Sequence, residues 1–474
     1  MTSKTEKISS SKKHIYDDLF CPRNIAVAGA SNTPGKMGNL FVQHLLDGYS
    51  GGLYLVHPTE KKIEGIAVHN DLAVVPEPID LLIALIPQEQ MVSLLHSCLP
   101  GRVKFLLAIP SGFGEVSPQG KKYELELLQM ARERGIRVIG PNIMGLLNSA
   151  IGLNASMAPF NPRGGAGFSC VTQSGGFGMA INMYLQDHPL KMAKFCDLGN
   201  TSDVPVDKIL DYYFQDEDTR IISIFLESIG QKDEFIEQID HIARSKPVIC
   251  TLLGRSTDGL RASEAHLGHY SDNSRLDIGK ETQHVIPARA GLEMLHITKG
   301  LSWQPVPKGR RVAILTGSGG IGAELVDLCV ENGLQVPEFS ERLQSSLRPH
   351  LPSYASVRNP VDLTPVWWQY PDIYPPLIRE LSASEEVDIL IVGVLDVATT
   401  IKELAESLAE CFTNGSQQAT HKKSVYVYWA STNDMMGNMR ILENAHIPCY
   451  RSTLETVRTA AAISHYGART TMDR

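Results

Sequence analysis

From about Cys21 onward, short unbroken apolar runs alternate with stretches whose apolar residues recur every three or four positions. The unbroken runs predict strands buried on both faces. The periodic stretches predict helices that cover them. In the first third of the chain, strands are expected at 24–28, 52–56, 81–86, 103–109 and 136–140, with helices at 39–46, 90–97 and 121–134. After Asn154 the pattern restarts, with strands at 167–172, 194–198, 221–226 and 247–253 and helices at 179–185, 209–214 and 234–243. The segment Ser302-Trp303-Gln304-Pro305-Val306-Pro307 reads as a linker. A third restart gives strands at 311–315, 388–394 and 424–429, a short strand ending at Tyr450, and helices at 323–331, 401–411 and 453–462. The fold class that follows is α/β, with three doubly wound units in tandem.

Length agrees, since 474 residues exceed one ordinary domain. The expected division is a flexible tail over 1–20, then units over 21–152, 153–300 and 301–474. Hydrophobic residues at 43% and charged residues at 20% suit a soluble globular protein. A net charge of −8, with basic residues spread along the chain, argues against a nucleic-acid groove or an anionic membrane surface. The eight cysteines include no Cys-x-x-Cys pair, which points to a reducing compartment without disulfides. The polar start shows no signal-peptide pattern and no apolar run reaches membrane-span length, so a cytoplasmic location is expected.

Each unit opens with a strand that runs into a glycine cluster and then a helix: Gly29-Ala30-Ser31 through Gly38, Gln173-Ser174-Gly175-Gly176-Phe177-Gly178, and Gly317-Ser318-Gly319-Gly320-Ile321-Gly322. Such joints aim bare backbone N–H groups and the positive end of a helix dipole at an anion. The first joint is not a Walker loop. Five residues separate Gly29 from Gly35, and Met37 rather than Ser or Thr follows Lys36. The third fits Gly-x-Gly-x-x-Gly, and Glu338 is expected near the end of the following strand, where a ribose-binding acid would sit. A nicotinamide-dependent oxidoreductase is therefore one reading. Such glycines also serve plain helix–strand packing.

Further motifs sit between the joints. The first unit has Val56-His57-Pro58, Ile86-Pro87, Ser111-Gly112-Phe113 and Gly140-Pro141-Asn142 with Gly145. The second has Gly199-Asn200 with Asp203 and Asp207, Leu226-Glu227, Gly254-Arg255-Ser256 and Ala265-His266-Leu267-Gly268. The third has Leu351-Pro352 and Asn359-Pro360-Val361-Asp362-Leu363. Together with the joints, this series resembles the ADP-forming acyl-CoA synthetases, relatives of the succinyl-CoA synthetase α subunit, from about residue 20 to the end. The length resembles a free-standing α subunit.

The resemblance implies a Rossmann-like CoA-binding domain followed by two flavodoxin-like domains. It also implies a reversible reaction. Acyl-CoA and phosphate give acyl phosphate and CoA, and a histidine then carries the phosphoryl group to ADP. Carried over, His266 is the phosphorylated residue and Glu227 the carboxylate that orients it. Ser174, Gly175 and Gly176 supply a phosphate cradle. Gly29, Ala30, Ser31, Lys36, Gly38, Pro58 and Pro87 hold CoA, and Asn142 lies near the thioester. ATP or ADP and Mg2+ are expected on a separate ATP-grasp β subunit, in an α2β2 assembly or around an α dimer, with a small carboxylic acid as substrate. No metal site is expected on this chain. His266 and His269 could form a metal pair, but no third ligand is in register.

The sequence departs from the family in places. Ala265 and Leu267 replace the Ser and Thr beside the histidine, and Leu252 stands where many members have Lys. His57 replaces Asn, and Thr59 replaces a Lys, with Lys61 and Lys62 close by. A CoA- or acyl-CoA-binding protein without ligase turnover is therefore a further reading. Trp367-Trp368 reads as a packed or interface pair.

Overall fold

The structure is a computed structural model and describes residues 14–161, 164–267, 276–414, 423–431 and 436–472; at 264–267, 396, 414, 471 and 472 only the backbone is described. The apolar runs form parallel strands, as their two-sided burial requires. Ile79–Ala84 is buried at every position, and so is Met192–Asp197.

In the first sheet the strands are β1 (Asn24–Ala28), β2 (Gly52–Val56), β3 (Lys62–Ile63), β4 (Ile66–His69), β5 (Ile79–Ala84), β6 (Val103–Ala108) and β7 (Arg137–Ile139). Their order is β3-β4-β2-β1-β5-β6-β7, parallel except for the β3–β4 hairpin. Without β3, this is the Rossmann order, whose switch point lies between β1 and β5.

The second sheet contains β8 (Gly145–Asn148), β9 (Leu153–Ser156), β10 (Gly167–Thr172), β11 (Met192–Asp197), β12 (Thr219–Leu226), β13 (Val248–Leu252) and β14 (Ile286–Pro287). The order is β14-β13-β12-β10-β11-β8-β9. Strands β10 to β14 are parallel in flavodoxin order, with the switch point between β10 and β12. The hairpin β8–β9 pairs antiparallel onto β11. The expected boundary at 152/153 falls inside this hairpin, both strands of which belong to the second sheet. The third sheet, β15 (Val312–Thr316), β16 (Val361–Asp362), β17 (Ile389–Leu395), β18 (Ser424–Ala430) and β19 (Cys449–Tyr450), is parallel in the order β16-β15-β17-β18-β19, again flavodoxin-like.

Neighbouring units share their cores. One cluster joins Ile25, Leu81 and Phe105 of the first unit to Leu146, Val171 and Ile224 of the second. Another joins Phe168, Phe195 and Ile249 to Ile314, Tyr426 and Tyr450 of the third. Residues 14–20, expected in a flexible tail, are seated instead. Leu19 and Phe20 are fully buried, and the Phe20 ring stacks on Tyr212 at 4.8 Å. The expected linker begins inside the helix Gly291–Trp303, which runs between the second and third units.

Candidate functional site

At the first switch point, three loops meet on the carboxyl edge of the sheet. The Gly29 N–H bonds to Val56 O at 3.2 Å and the Leu85 N–H to Ala28 O at 2.9 Å, which ties the loops after β1, β2 and β5 together. Gly29 has φ +90°, and a Cβ there would stand 2.8 Å from Leu85 O. A Cβ on Gly38 would come within 2.0 Å of Gly29 O. The two glycines therefore let the helix Met37–Leu46 press its first turn onto the β1 loop, with Lys36 at its N-cap. Lys36, Pro58 and Pro87 are exposed on this rim, and Ala30 is buried beneath it. His57, which stands where the family has Asn, shapes this turn, because its Nδ1 accepts from the Thr59 and Glu60 N–H groups at 3.3 and 3.2 Å. The edge offers backbone donors and the exposed Lys36 to a phosphate-bearing ligand.

At the second switch point, the loops after β10 and β12 lie side by side. Ser174 caps the helix Gly175–Asp187, its Oγ accepting from the Phe177 N–H. The Ser174 N–H is already used, donating to Thr172 Oγ1 at 2.9 Å. The expected cradle therefore rests on Gly175 and Gly176, whose N–H groups have no hydrogen-bond partner among the described residues. Glu227 follows β12 directly and is 5% exposed. Gln173 locks the two loops together. Its Oε1 accepts from the Glu227 and Ser228 N–H groups, both at 2.9 Å, and its Nε2 donates to Thr201 at 3.0 Å and Ser228 at 3.1 Å. The Phe177 ring stacks on Phe225 at 4.0 Å and fixes the helix start against β12.

His266 lies in the helix Thr257–Leu267, which follows β13. The side chains of Ala265, His266 and Leu267 lie outside the described residues, as do Gly268 and His269.

Asn142 comes from the other side. It follows the cis Gly140–Pro141 bond with φ +62° and donates through Nδ2 to Asn200 Oδ1 at 3.4 Å. Asn200 in turn donates to Glu115 Oε2 at 2.6 Å, and Glu115 accepts from Gly112 and Phe113 through its other oxygen. Loops of the first and second units thus converge on one seam. Gly199 belongs to it, since a Cβ there would lie 2.2 Å from Asn142 O. Beneath the seam, Asp197 is fully buried and accepts from the Met144 N–H at 2.7 Å and the Gly199 N–H at 3.1 Å. Burial pushes its carboxyl up to about 7 against those two donors, and the charge of Glu227 adds to the rise.

The third joint shares part of this build: Asp362 Oδ2 would lie 3.0 Å from a Cβ on Gly319, as Asp197 Oδ2 would lie 3.4 Å from one on Gly175. Tyr370 fills the space over Gly317 and donates to Thr364 O at 2.8 Å. Glu338 does not end a strand. It is exposed, 3.7 Å from Arg358, and the second strand of the flavodoxin order is Val361–Asp362. Gly317 and Gly322 serve close packing, against Tyr370 and Pro360. Trp367 and Trp368 form an exposed edge-on pair, 5.3 Å apart.

Sequence reasoning placed Gln173 in the second joint without giving it a role, and it missed Asp197 and Glu115. Gln173 was legible as the residue before the capping serine. Asp197 and Glu115 gave no signal, because their roles depend on contacts across units.

Three domain families match the chain in succession: a CoA binding domain over residues 23–149, a succinyl-CoA ligase like flavodoxin domain over 164–297 and a ligase-CoA domain over 312–471. The acetate–CoA ligase [ADP-forming] II subunit alpha of Pyrococcus furiosus is 30% identical over 450 residues, covering 95% of this chain and 97% of that one. The acetate–CoA ligase [ADP-forming] II of Archaeoglobus fulgidus is 29% identical over 465 residues, which are 95% of this chain and 67% of that one. Among solved structures, the Ca. Korarchaeum cryptofilum dinucleotide forming acetyl-coenzyme A synthetase 1, in complex with phosphate and ADP, superposes with a TM-score of 0.85 at 27% identity, covering 96% of this chain and 97% of that chain.

Proposed function

The chain belongs to the ADP-forming acetate–CoA ligase α-subunit family, and from that premise we propose that it is the α subunit of an ADP-forming acyl-CoA synthetase, interconverting acid, CoA and ATP with acyl-CoA, ADP and phosphate. The observation that carries the reading is the second switch point. There a helix start with open N–H groups at Gly175 and Gly176 lies beside buried Glu227, and Gln173 holds the two together.

In this reading CoA lies along the first switch point, against Gly29, Ala30, Ser31, Lys36, Gly38, Pro58 and Pro87. Its thioester reaches the seam at Asn142. Phosphate attacks the thioester carbonyl, CoA leaves as thiolate, and acyl phosphate forms. The His266 imidazole then takes the phosphoryl group and the carboxylic acid leaves. Glu227 holds the proton-bearing nitrogen and steadies the imidazolium, while Gly175, Gly176 and the helix dipole hold the phosphoryl oxygens. ADP on an ATP-grasp β subunit, with Mg2+, accepts the group. In the A. fulgidus relative this chain covers 67% of the length, which leaves room for such a partner in one polypeptide. The P. furiosus relative is named as a subunit alpha, and in this reading the partner is likewise a separate chain, joined in an α2β2 assembly or around an α dimer.

The test is phosphorylation. Mixed with its β subunit and γ-labelled ATP, the protein takes up an acid-labile, base-stable label, and His266→Ala takes up none. Label that persists in His266→Ala overturns the assignment. No label in wild type, with CoA still bound, favours the reading without turnover, which Ala265 and Leu267 motivate.

A further inference from the structure

A cavity of about 570 Å3 lies between the second and third units, at the β13–β14 edge of the second sheet. None of its lining residues belongs to the switch-point sites. Arg255 and Arg289 reach it from the loops after β13 and β14. Arg458 and Arg469 reach it from the helix Thr453–Met472, on a stripe shared with Ala462 and His465.

The wall is strongly cationic in a chain of net charge −8. Its acids are already engaged: Asp277 faces Lys280 at 3.4 Å and Glu293 faces Arg458 at 3.7 Å. Arg255, Arg289 and Arg469 have no carboxylate within ion-pair distance among the described residues. Arg255 donates one bond to Arg289 O at 2.7 Å, and Arg469 one to Gln283 O at 3.1 Å. A guanidinium has five N–H donors, so most of theirs remain open. His465 reports the same field. Burial first, then the charges of Arg469 and Arg310, hold its imidazole below the ordinary range. Leu252, Ile286, Ala461 and Tyr466 give the cavity an apolar floor.

We propose that this cavity binds a small organic polyanion with clustered phosphate or carboxylate groups, at a site separate from those for CoA and the phosphoryl group. Guanidinium forks match both chemistries. Because the arginines come from two units, the occupant bridges them.

The test is calorimetry on the full chain, with and without saturating CoA, using inorganic pyrophosphate and, separately, citrate at physiological salt. At least one anion binds stoichiometrically in the presence of CoA. Binding by pyrophosphate alone assigns phosphate chemistry, binding by citrate alone assigns polycarboxylate chemistry, and binding by both assigns the charge cluster. The triple variant Arg255→Gln/Arg289→Gln/Arg469→Gln weakens that binding about tenfold or more and leaves CoA affinity unchanged. If the triple variant melts early, Arg289→Gln alone serves, because its guanidinium makes no hydrogen bond or ion pair among the described residues. Absence of binding by both anions, or equal binding by variant and wild type, overturns the proposal.

Discussion

At the scale of single residues, the site depends on side chains that perform no chemistry. Gln173→Leu keeps the bulk but leaves the buried Glu227 and Ser228 N–H groups without an acceptor. Each such loss costs about 1–3 kcal/mol, so urea unfolding should show about 2–6 kcal/mol less stability, with ligase activity falling in parallel. Asp197 sets a pH dependence. Its carboxyl titrates near 7 in the fold against an ordinary value of 3.8, so between those values the folded chain binds the extra proton. Its contribution is complete below about pH 4 and is lost as pH rises through 7. Unfolding free energy measured from pH 5 to 8 should therefore carry a falling component that Asp197→Asn removes. A slope identical in the variant would contradict the assignment.

Elements explain why some of this was legible and some was not. Parallel strands such as Ile79–Ala84 are unbroken apolar runs, and amphipathic helices such as Val206–Gln215 alternate cleanly, so the three α/β units stood out in the sequence. Helix Gly291–Trp303 did not, because it lies between two units and buries His296, Thr298 and Lys299 along with its apolar residues. Helix Tyr370–Ala383 was hidden by Pro375 and Pro376 inside it. The glycine joints were visible as sequence but not as different devices. Tyr370 over Gly317 separates the third joint from the second, and that contact is made only in the fold. The first joint yields a prediction. In Gly38→Ala the new methyl meets Gly29 O, a backbone atom that cannot swing aside. The helix Met37–Leu46 must lift, so CoA affinity should fall at least about tenfold by titration, with a loss of about 1–3 kcal/mol in stability. Unchanged CoA affinity would remove this loop from the binding site.

Across the whole molecule, the second and third units are joined by a buried charged group. Lys299 Nζ donates to Glu443 Oε1 at 2.8 Å and to Cys449 O at 2.6 Å, and it lies 4.7 Å from the Tyr450 ring centre. His188, just past the helix Gly175–Asp187, meets the other Glu443 oxygen at 2.6 Å. Lys299→Met should destabilise by about 3–5 kcal/mol, because it strands a buried carboxylate. Lys299→Met/Glu443→Leu should recover part of that loss in the same denaturant titration; no recovery would mean that the charge was not the cause. The hairpin β8–β9 is the matching device between the first and second units. Gly152 at its turn packs against Gly48, and Asn148 donates to Phe20 O at 2.9 Å. It also dictates where the polypeptide tolerates scission. A gene fragment ending at Ser149, where the match to the CoA binding domain stops, parts β8 from β9 and bares the edge of β11. Both pieces would then carry unpaired strand edges, a template for aggregation. The CoA-binding half is thus not a detachable module, and its solubility when expressed alone depends on a strand it lends to its neighbour.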